Sequence, residues 1–179
     1  MLQIESTLLV VIDIQGNLAR AATDRDLFFE NTRKLIQGAK IFQLPIMVTE
    51  QIPEKLGPTI QDVAELLDGI DRLRKATFSC CGNSAFMEAF EKVNRRQVLL
   101  CGIESHICVY QTALDLLGRD YEVHAVADAI SSRTAKNRAI GLKKMIAAGA
   151  HLTSTETVLF ELLRTAESDK FKDIFRVIK

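Results

Sequence analysis

Three side chains in this 179-residue chain pair a reactive type with a position that could expose it to chemistry. Asp13 interrupts the apolar run Val10-Val11-Ile12-Asp13-Ile14 near its end, where a carboxylate is costly to bury unless it is paired or hydrogen-bonded. Cys108 closes the segment Cys101-Gly102-Ile103-Glu104-Ser105-His106-Ile107-Cys108, in which an apolar run passes through Gly102 into a short turn and then a helix start. Free amides and the dipole at a helix N-terminus stabilise an anion, which predicts an acidified thiol. Gly102 lets the chain bend sharply, and the N–H groups of such a turn can hold a developing oxyanion. Lys75 lies in the charged stretch Arg72-Leu73-Arg74-Lys75-Ala76-Thr77-Phe78. Together the three make a base, an orienting cation and a nucleophile. Each also has a plainer reading. Asp13 could be a helix cap or a structural hydrogen-bond acceptor, Cys108 a small apolar residue packed under its helix, and Lys75 a solvated loop lysine.

The elements that would position these residues are readable from hydrophobic pattern. Leu8 to Ile14, Pro45 to Val48 and Gln97 to Ile103 are short, nearly continuous apolar runs, and Tyr121 to Ala127 alternates in part. Such runs predict strands buried on both faces, as in a parallel sheet covered by helices. A weaker strand is expected over Ile70 to Ala76, where charge is dense but the alternation of elements requires one. Between them, Leu27 to Phe42, Ser84 to Val93, Val109 to Leu117, Lys136 to Ala148, Thr155 to Arg164 and Lys170 to Ile178 carry helical period, and Gly149 supplies a residue tolerant of the left-handed conformation after the fourth. Strand and helix alternate without a Gly/Ser linker or an internal repeat, which predicts one α/β domain of three layers. In open parallel sheets, chemistry gathers at the carboxyl ends of the strands. Asp13, Lys75 and Cys108 all fall there.

Composition narrows the function class. Lys plus Arg and Asp plus Glu each number 23, so the formal net charge is zero, and nothing favours nucleic acid or an anionic membrane as partner. The hydrophobic fraction of 47% is that of a globular chain. Glu5 stands where a secretory signal would be basic, and the first apolar run is too short to span a bilayer, so a cytoplasmic location is expected. Four cysteines are too few for a disulfide scaffold but enough for a reactive thiol. Cys101 reads as core. Adjacent Cys80 and Cys81 read as structural thiols, with a peroxidatic or resolving role as the alternative. The cysteines and His106 lack the usual zinc-ligand spacing. His106, two residues before Cys108, would not face it on a helix. Gln15, Asn17, Glu50 and Gln51 also sit at strand ends, as substrate contacts or as loop residues. No G-x-G-x-x-G follows the first strand and no Walker A motif occurs.

With these residues placed, the chain resembles the isochorismatase-like, or cysteine hydrolase, family from about Leu8 to Phe160. Three elements carry the resemblance in order. Val11-Ile12-Asp13-Ile14-Gln15 resembles the Asp-x-Gln opening, Lys75 with Phe78 and Ser79 resembles the lysine loop, and Gly102 to Val109 resembles the Gly-x-x-[Ser/Thr]-x-x-Cys-Val nucleophile segment. Tyr121 to Ala129 is similar to the strand that follows in the family and ends in Asp-Ala. Thr49-Glu50-Gln51, Leu56 to Thr59, Ser105-His106 and Thr153 to Phe160 are similar to the YcaC and isochorismatase-domain-containing subgroup.

The resemblance implies a three-layer α/β/α domain over residues 1–179, with a six-stranded, mainly parallel, Rossmann-like sheet. It implies that Asp13 takes the Cys108 proton, that Lys75 lies between them, and that the backbone amides of Glu104 and Cys108 hold the oxyanion after a cis Ile103–Glu104 peptide. Gln15, Gln51, Phe78 and Ile103 are the expected substrate contacts. The metal-binding Asp-x-His of nicotinamidase relatives has no counterpart in Thr49 to Glu54, and the spacing of His106, His124 and His151 does not replace it, so neither metal nor other cofactor is expected. Cysteine at position 108 argues against the vinyl-ether reaction, whose enzymes commonly carry glycine there. The implied activity is hydrolysis of a C–N bond in a small amide or ureide by a homo-oligomer. The alternative is a non-catalytic or redox protein on the same fold.

Overall fold

The computed structural model describes residues 1–179. Its six strands are β1 (Thr7–Ile12), β2 (Ile46–Gln51), β3 (Arg72–Lys75), β4 (Gln97–Gly102), β5 (Glu122–Ile130) and β6 (His151–Thr153). They form one sheet in the order β3-β2-β1-β4-β5-β6, and every neighbouring pair is parallel. The helices are α1 (Gly16–Arg20), α2 (Arg25–Ile41), α3 (Pro53–Leu56), α4 (Gln61–Ala64), α5 (Ser84–Val93), α6 (Tyr110–Leu117), α7 (Ala135–Ala147), α8 (Thr155–Leu163) and α9 (Phe171–Ile178).

The apolar runs read as continuous because alternate residues serve opposite faces of the sheet. Leu9, Val11, Leu99, Cys101 and Val126 point into a core with Leu35, Ile36 and Ala39 of α2, Leu159 and Leu162 of α8 and Ile174 of α9. Leu8, Val10, Ile12, Val98, Leu100 and Val123 point the other way, against Phe86 and Phe90 of α5, Ala113 and Leu116 of α6 and Met145 of α7. Burying one such aliphatic side chain contributes ~1.5–3 kcal/mol, so two cores of this kind can carry several buried polar groups at the sheet's end.

The structure shifts some boundaries, and the reasons are local. β1 stops at Ile12, because Asp13 turns into the left-handed region at φ 52°. β2 runs past Val48 through Thr49, Glu50 and Gln51, which are polar yet buried. The weak strand is β3, and it lies at the edge of the sheet, where its arginines reach solvent. β6 is a three-residue edge strand with no apolar run to announce it. Helix starts follow their caps: Asn83 Oδ1 accepts from the Phe86 N–H at 2.9 Å and Thr134 Oγ1 from the Asn137 N–H at 3.2 Å.

Strand order reverses at β1. The chain builds outward through β2 and β3, then returns to place β4 on the other side of β1. Ile12 is level with both Thr49 and Gly102, and Gln51 is level with Lys75. The ends of β1, β2, β3 and β4 therefore converge on one spot, the position where open α/β sheets hold their ligands.

Candidate active site

Asp13 is held from three directions. Its N–H donates to the Thr49 carbonyl at 3.2 Å, the Thr49 hydroxyl donates to Oδ1 at 2.7 Å, and the Lys75 ammonium donates to Oδ2 at 2.6 Å. Lys75 is the last residue of β3 and is only 1% exposed, so it is not a solvated loop lysine. Its Nζ also donates to Gln51 Oε1 at 2.6 Å and to the carbonyls of Phe78 at 3.1 Å and Thr77 at 3.2 Å. A buried charge survives only with this kind of compensation.

Cys108 approaches the pair from the other side of the switch point. After β4 the peptide Ile103–Glu104 is cis, as the family resemblance implies, and Ser105–Val109 forms a single π-helical turn that leads into α6. Cys108 is 8% exposed within that turn, and its thiol lies near enough to Asp13 and Lys75 to feel both charges. The acidified thiol expected from a helix start is not found. Burial pushes the Cys108 thiol up to about 12, the Asp13 carboxylate adds to the rise, and Lys75 pulls the other way. The thiol therefore stays neutral beside the carboxylate.

The turn itself is clamped. Gly102 adopts φ 122°, and a Cβ there would lie 2.0 Å from the Ile12 carbonyl oxygen. The Ser105 N–H donates to the Ser131 carbonyl at 2.8 Å, and the Ser105 hydroxyl to the Arg138 carbonyl at 3.0 Å. The Glu104 carboxylate accepts from the Arg133 N–H at 3.1 Å and from Arg133 Nε at 3.0 Å. The Glu104 backbone N–H, in contrast, donates to no acceptor in the chain.

The expected substrate contacts divide. Gln15 is wholly buried: its Oε1 accepts from the Gln51 N–H at 2.7 Å and its Nε2 donates to the carbonyls of Gly57 at 2.6 Å and Gln51 at 3.3 Å. With both amide ends on backbone, Gln15 ties the end of β2 to the loop at Gly57. The Ile103 side chain packs in the core on the α2 face, whereas Cys108 packs on the opposite face. Gln51 receives Lys75 and donates to the Ala76 carbonyl at 2.8 Å, so it positions the cation. Phe78 gives Lys75 its carbonyl and leaves its ring 54% exposed.

Two positioning residues, Thr49 and Thr112, went unassigned in the sequence. The Thr112 hydroxyl donates to the Cys108 carbonyl at 2.7 Å and accepts from the Cys80 N–H at 3.0 Å, which joins the Cys108 turn to the loop after Lys75. A polar residue inside an otherwise apolar pattern was the available signal for both. All four thiols are free and buried. Burial raises Cys80 to about 12 and, with Asp115 adding to it, Cys81 to about 11. His106 Nδ1 lies 3.1 Å from Ser132 Oγ, a contact that involves neither Asp13 nor Lys75.

Residues 7–157 match the Isochorismatase domain family. The chain belongs to that family. Isochorismatase domain-containing protein 2 of Xenopus laevis is 35% identical over 97% of this chain and 83% of its own length. The structure of the MAR1 ribonuclease of Caenorhabditis elegans superposes with a TM-score of 0.93 at 34% identity, covering 99% of this chain and 91% of that one. The YcaC gene product of Escherichia coli, described as an octameric hydrolase of unknown specificity, has a TM-score of 0.93 at 22% identity and covers 98% and 89%. The isochorismatase fold thus accounts for the six-stranded parallel sheet and its flanking helices.

Proposed function

We propose that this isochorismatase-family chain is a cysteine hydrolase that cleaves a C–N bond of a small amide or ureide through Asp13, Lys75 and Cys108. The observation that carries the reading is the buried Asp13 carboxylate, gripped by Lys75 at 2.6 Å and Thr49 at 2.7 Å with its charge acting on the nearby Cys108 thiol. A thiol held neutral needs a base at the moment of attack, and Asp13 is in place for it.

In the proposed cycle, Asp13 takes the thiol proton as sulfur attacks the carbonyl carbon. The Glu104 and Cys108 N–H groups receive the oxyanion. Collapse breaks the C–N bond, and the departing nitrogen takes the proton from Asp13. Water then attacks the thioester-type intermediate, giving its proton to Asp13, and sulfur leaves and recovers that proton. Lys75 keeps the carboxylate oriented throughout. The reaction needs no cofactor in this scheme.

Other features agree with a small neutral substrate. Asp13 and Lys75 are each 1% exposed, which leaves little room for a polymer to reach them. Zero net charge supplies no overall attraction toward a polyanion. No helix is long and apolar enough to cross a membrane. Four free thiols fit a reducing compartment, and we place the chain in the cytoplasm as a homo-oligomer of one domain. Light scattering on an eluting peak tests the last point, since a mass equal to one chain would sink it.

The enzymatic test is a panel of primary amides and ureides, followed by intact-mass measurement. Turnover together with a covalent adduct on Cys108, both absent in Cys108→Ser, is the expected result. Turnover that survives Cys108→Ser would overturn the mechanism.

A further inference from the structure

At the amino ends of the strands, far from Cys108, the sheet assembles a second group of reactive side chains. Glu122 and His124 are two residues apart on β5 and so share a face. His151 on β6 is level with His124 in the parallel ladder, which brings the two imidazoles side by side. Their ring centroids are 4.8 Å apart, and His124 Nε2 lies 2.8 Å from Glu122 Oε1. One donor atom from each of the three residues lies within 4.8 Å of the other two. The spacing of the histidines along the chain suggested no ligand set; the neighbouring strands supply one.

The geometry points to a binding site for a divalent transition metal of the zinc class, held by Glu122, His124 and His151 with the remaining position open to solvent. Two imidazoles and one carboxylate suit Zn²⁺, Ni²⁺ or Cu²⁺, and are poor ligands for Mg²⁺ or Ca²⁺. In a tetrahedral site with bonds of ~2.0–2.1 Å, the donor atoms stand about 3.3 Å apart, so the group must close modestly. His151 is exposed, so its ring can shift toward an ion, while His124 is buried. The other oxygen of Glu122 accepts from Gln97 Nε2 at 3.0 Å, and Gln97 is itself held by the Gln3 N–H at 2.8 Å and the Thr7 hydroxyl at 3.2 Å. This is the kind of outer support that aims a metal-binding carboxylate.

The site's place in the fold defines its role. From His124 to Ile130, which pairs with Gly102 beside the nucleophile turn, is six residues of strand, roughly 20 Å at ~3.3 Å per residue. A metal there takes no part in chemistry at Cys108. It would instead staple the three-residue edge strand β6 to β5.

The test is Zn²⁺ titration of tag-free protein by calorimetry, alongside His151→Ala, Glu122→Gln and, as a control, His106→Ala. One Zn²⁺ per chain is expected, with affinity at least ~10-fold weaker in His151→Ala and unchanged in His106→Ala. His151 is exposed, so its loss leaves the fold intact, and circular dichroism verifies that. At one Zn²⁺ concentration, set above the parent's dissociation constant, the melting temperature rises more in the parent chain than in His151→Ala. Co²⁺ substitution gives d–d bands without the intense charge transfer of a thiolate ligand. Equal affinity in parent and His151→Ala, no stoichiometric binding, or a sulfur charge-transfer band would each overturn the assignment.

Discussion

Asp13 has opposite effects on Cys108 at rest and in reaction. At rest burial is the larger cause that holds the thiol neutral, the negative charge of Asp13 adds to it, and Lys75 pulls toward the thiolate. During attack the same carboxylate is the proposed proton acceptor. The two roles separate experimentally. Asp13→Asn removes the resting penalty and leaves the Lys75 charge unopposed, so the thiol of the variant titrates lower than in the parent. Alkylation by iodoacetamide at pH 8 is then expected to be faster in Asp13→Asn, by ~10-fold for each unit the thiol falls, while amide hydrolysis drops by ~10²-fold or more. In the parent, the alkylation rate keeps rising through pH 10, because the thiol titrates at about 12. A parent thiol already at its plateau at pH 8 would contradict the raised value. Asp13, Lys75 and Cys108 were legible as reactive types at strand ends. The direction of the Cys108 shift was not, because it depends on burial and on a carboxylate 95 positions earlier in the chain.

Strand ends and the turns after them set the tolerances of the site. Lys75 bridges β3 to Asp13 beyond β1 and to Gln51 at the end of β2, so its removal leaves a carboxylate buried with the Thr49 hydroxyl as its main donor. Lys75→Met is expected to cost ~3–5 kcal/mol in urea unfolding, and the Asp13→Asn/Lys75→Met double variant to regain most of that loss, since an intact buried pair adds little net stability. A double-variant loss equal to the sum of the Asp13→Asn and Lys75→Met losses would mean that the pair is not coupled. The nucleophile turn is as demanding. α7 crosses it at Gly141, where a Cβ would lie 2.4 Å from Ser105 Oγ and 2.5 Å from the Ser105 carbonyl. Gly141→Ala must push α7 or the turn aside, so kcat should fall by ~10-fold or more, with a stability loss of ~1–3 kcal/mol. Unchanged kcat would show that the turn accommodates the methyl. Lys136 to Ala148 was readable as a helix from its period. Its close approach to Ser105 was not, since a glycine inside a helix gives no hint of what lies opposite.

Across the whole molecule, four buried thiols make stability depend on alkaline pH. Burial raises Cys80, Cys81, Cys101 and Cys108 above the ordinary thiol range in the folded chain. The unfolded chain loses these protons near pH 8.5–9, whereas the native chain keeps them to about 11 or higher. The native state therefore binds more protons in that window. The contribution of the thiols is fully present below pH 8.5 and is lost as pH rises toward 12. The urea midpoint should fall between pH 9 and 10.5, and less steeply in Cys101→Ala, which removes one of the four. Identical slopes in parent and variant would contradict the burial of Cys101.

The sequence by itself determined the class of the fold and three of its reactive residues. Continuous apolar runs in β1 and β4 have nowhere to go but between two helical layers, and strand–helix alternation then requires parallel pairing. It also placed Asp13 and Cys108 at strand ends, because a polar residue inside or just after a buried run must meet partners there. Only the tertiary structure decided what those partners are. Strand order brought β2 and β3 beside β1, which gave Asp13 the Thr49 hydroxyl and the Lys75 ammonium, and strand register brought His124 beside His151. It also tied Gln15 to the backbone of Gln51 and Gly57 and set Ile103 in the core. Hydrophobic period reports which face of an element is buried, but carries no record of which neighbour covers it. Hydrogen bonds and charges act within a few ångströms, so they are assigned only once the neighbours are in place.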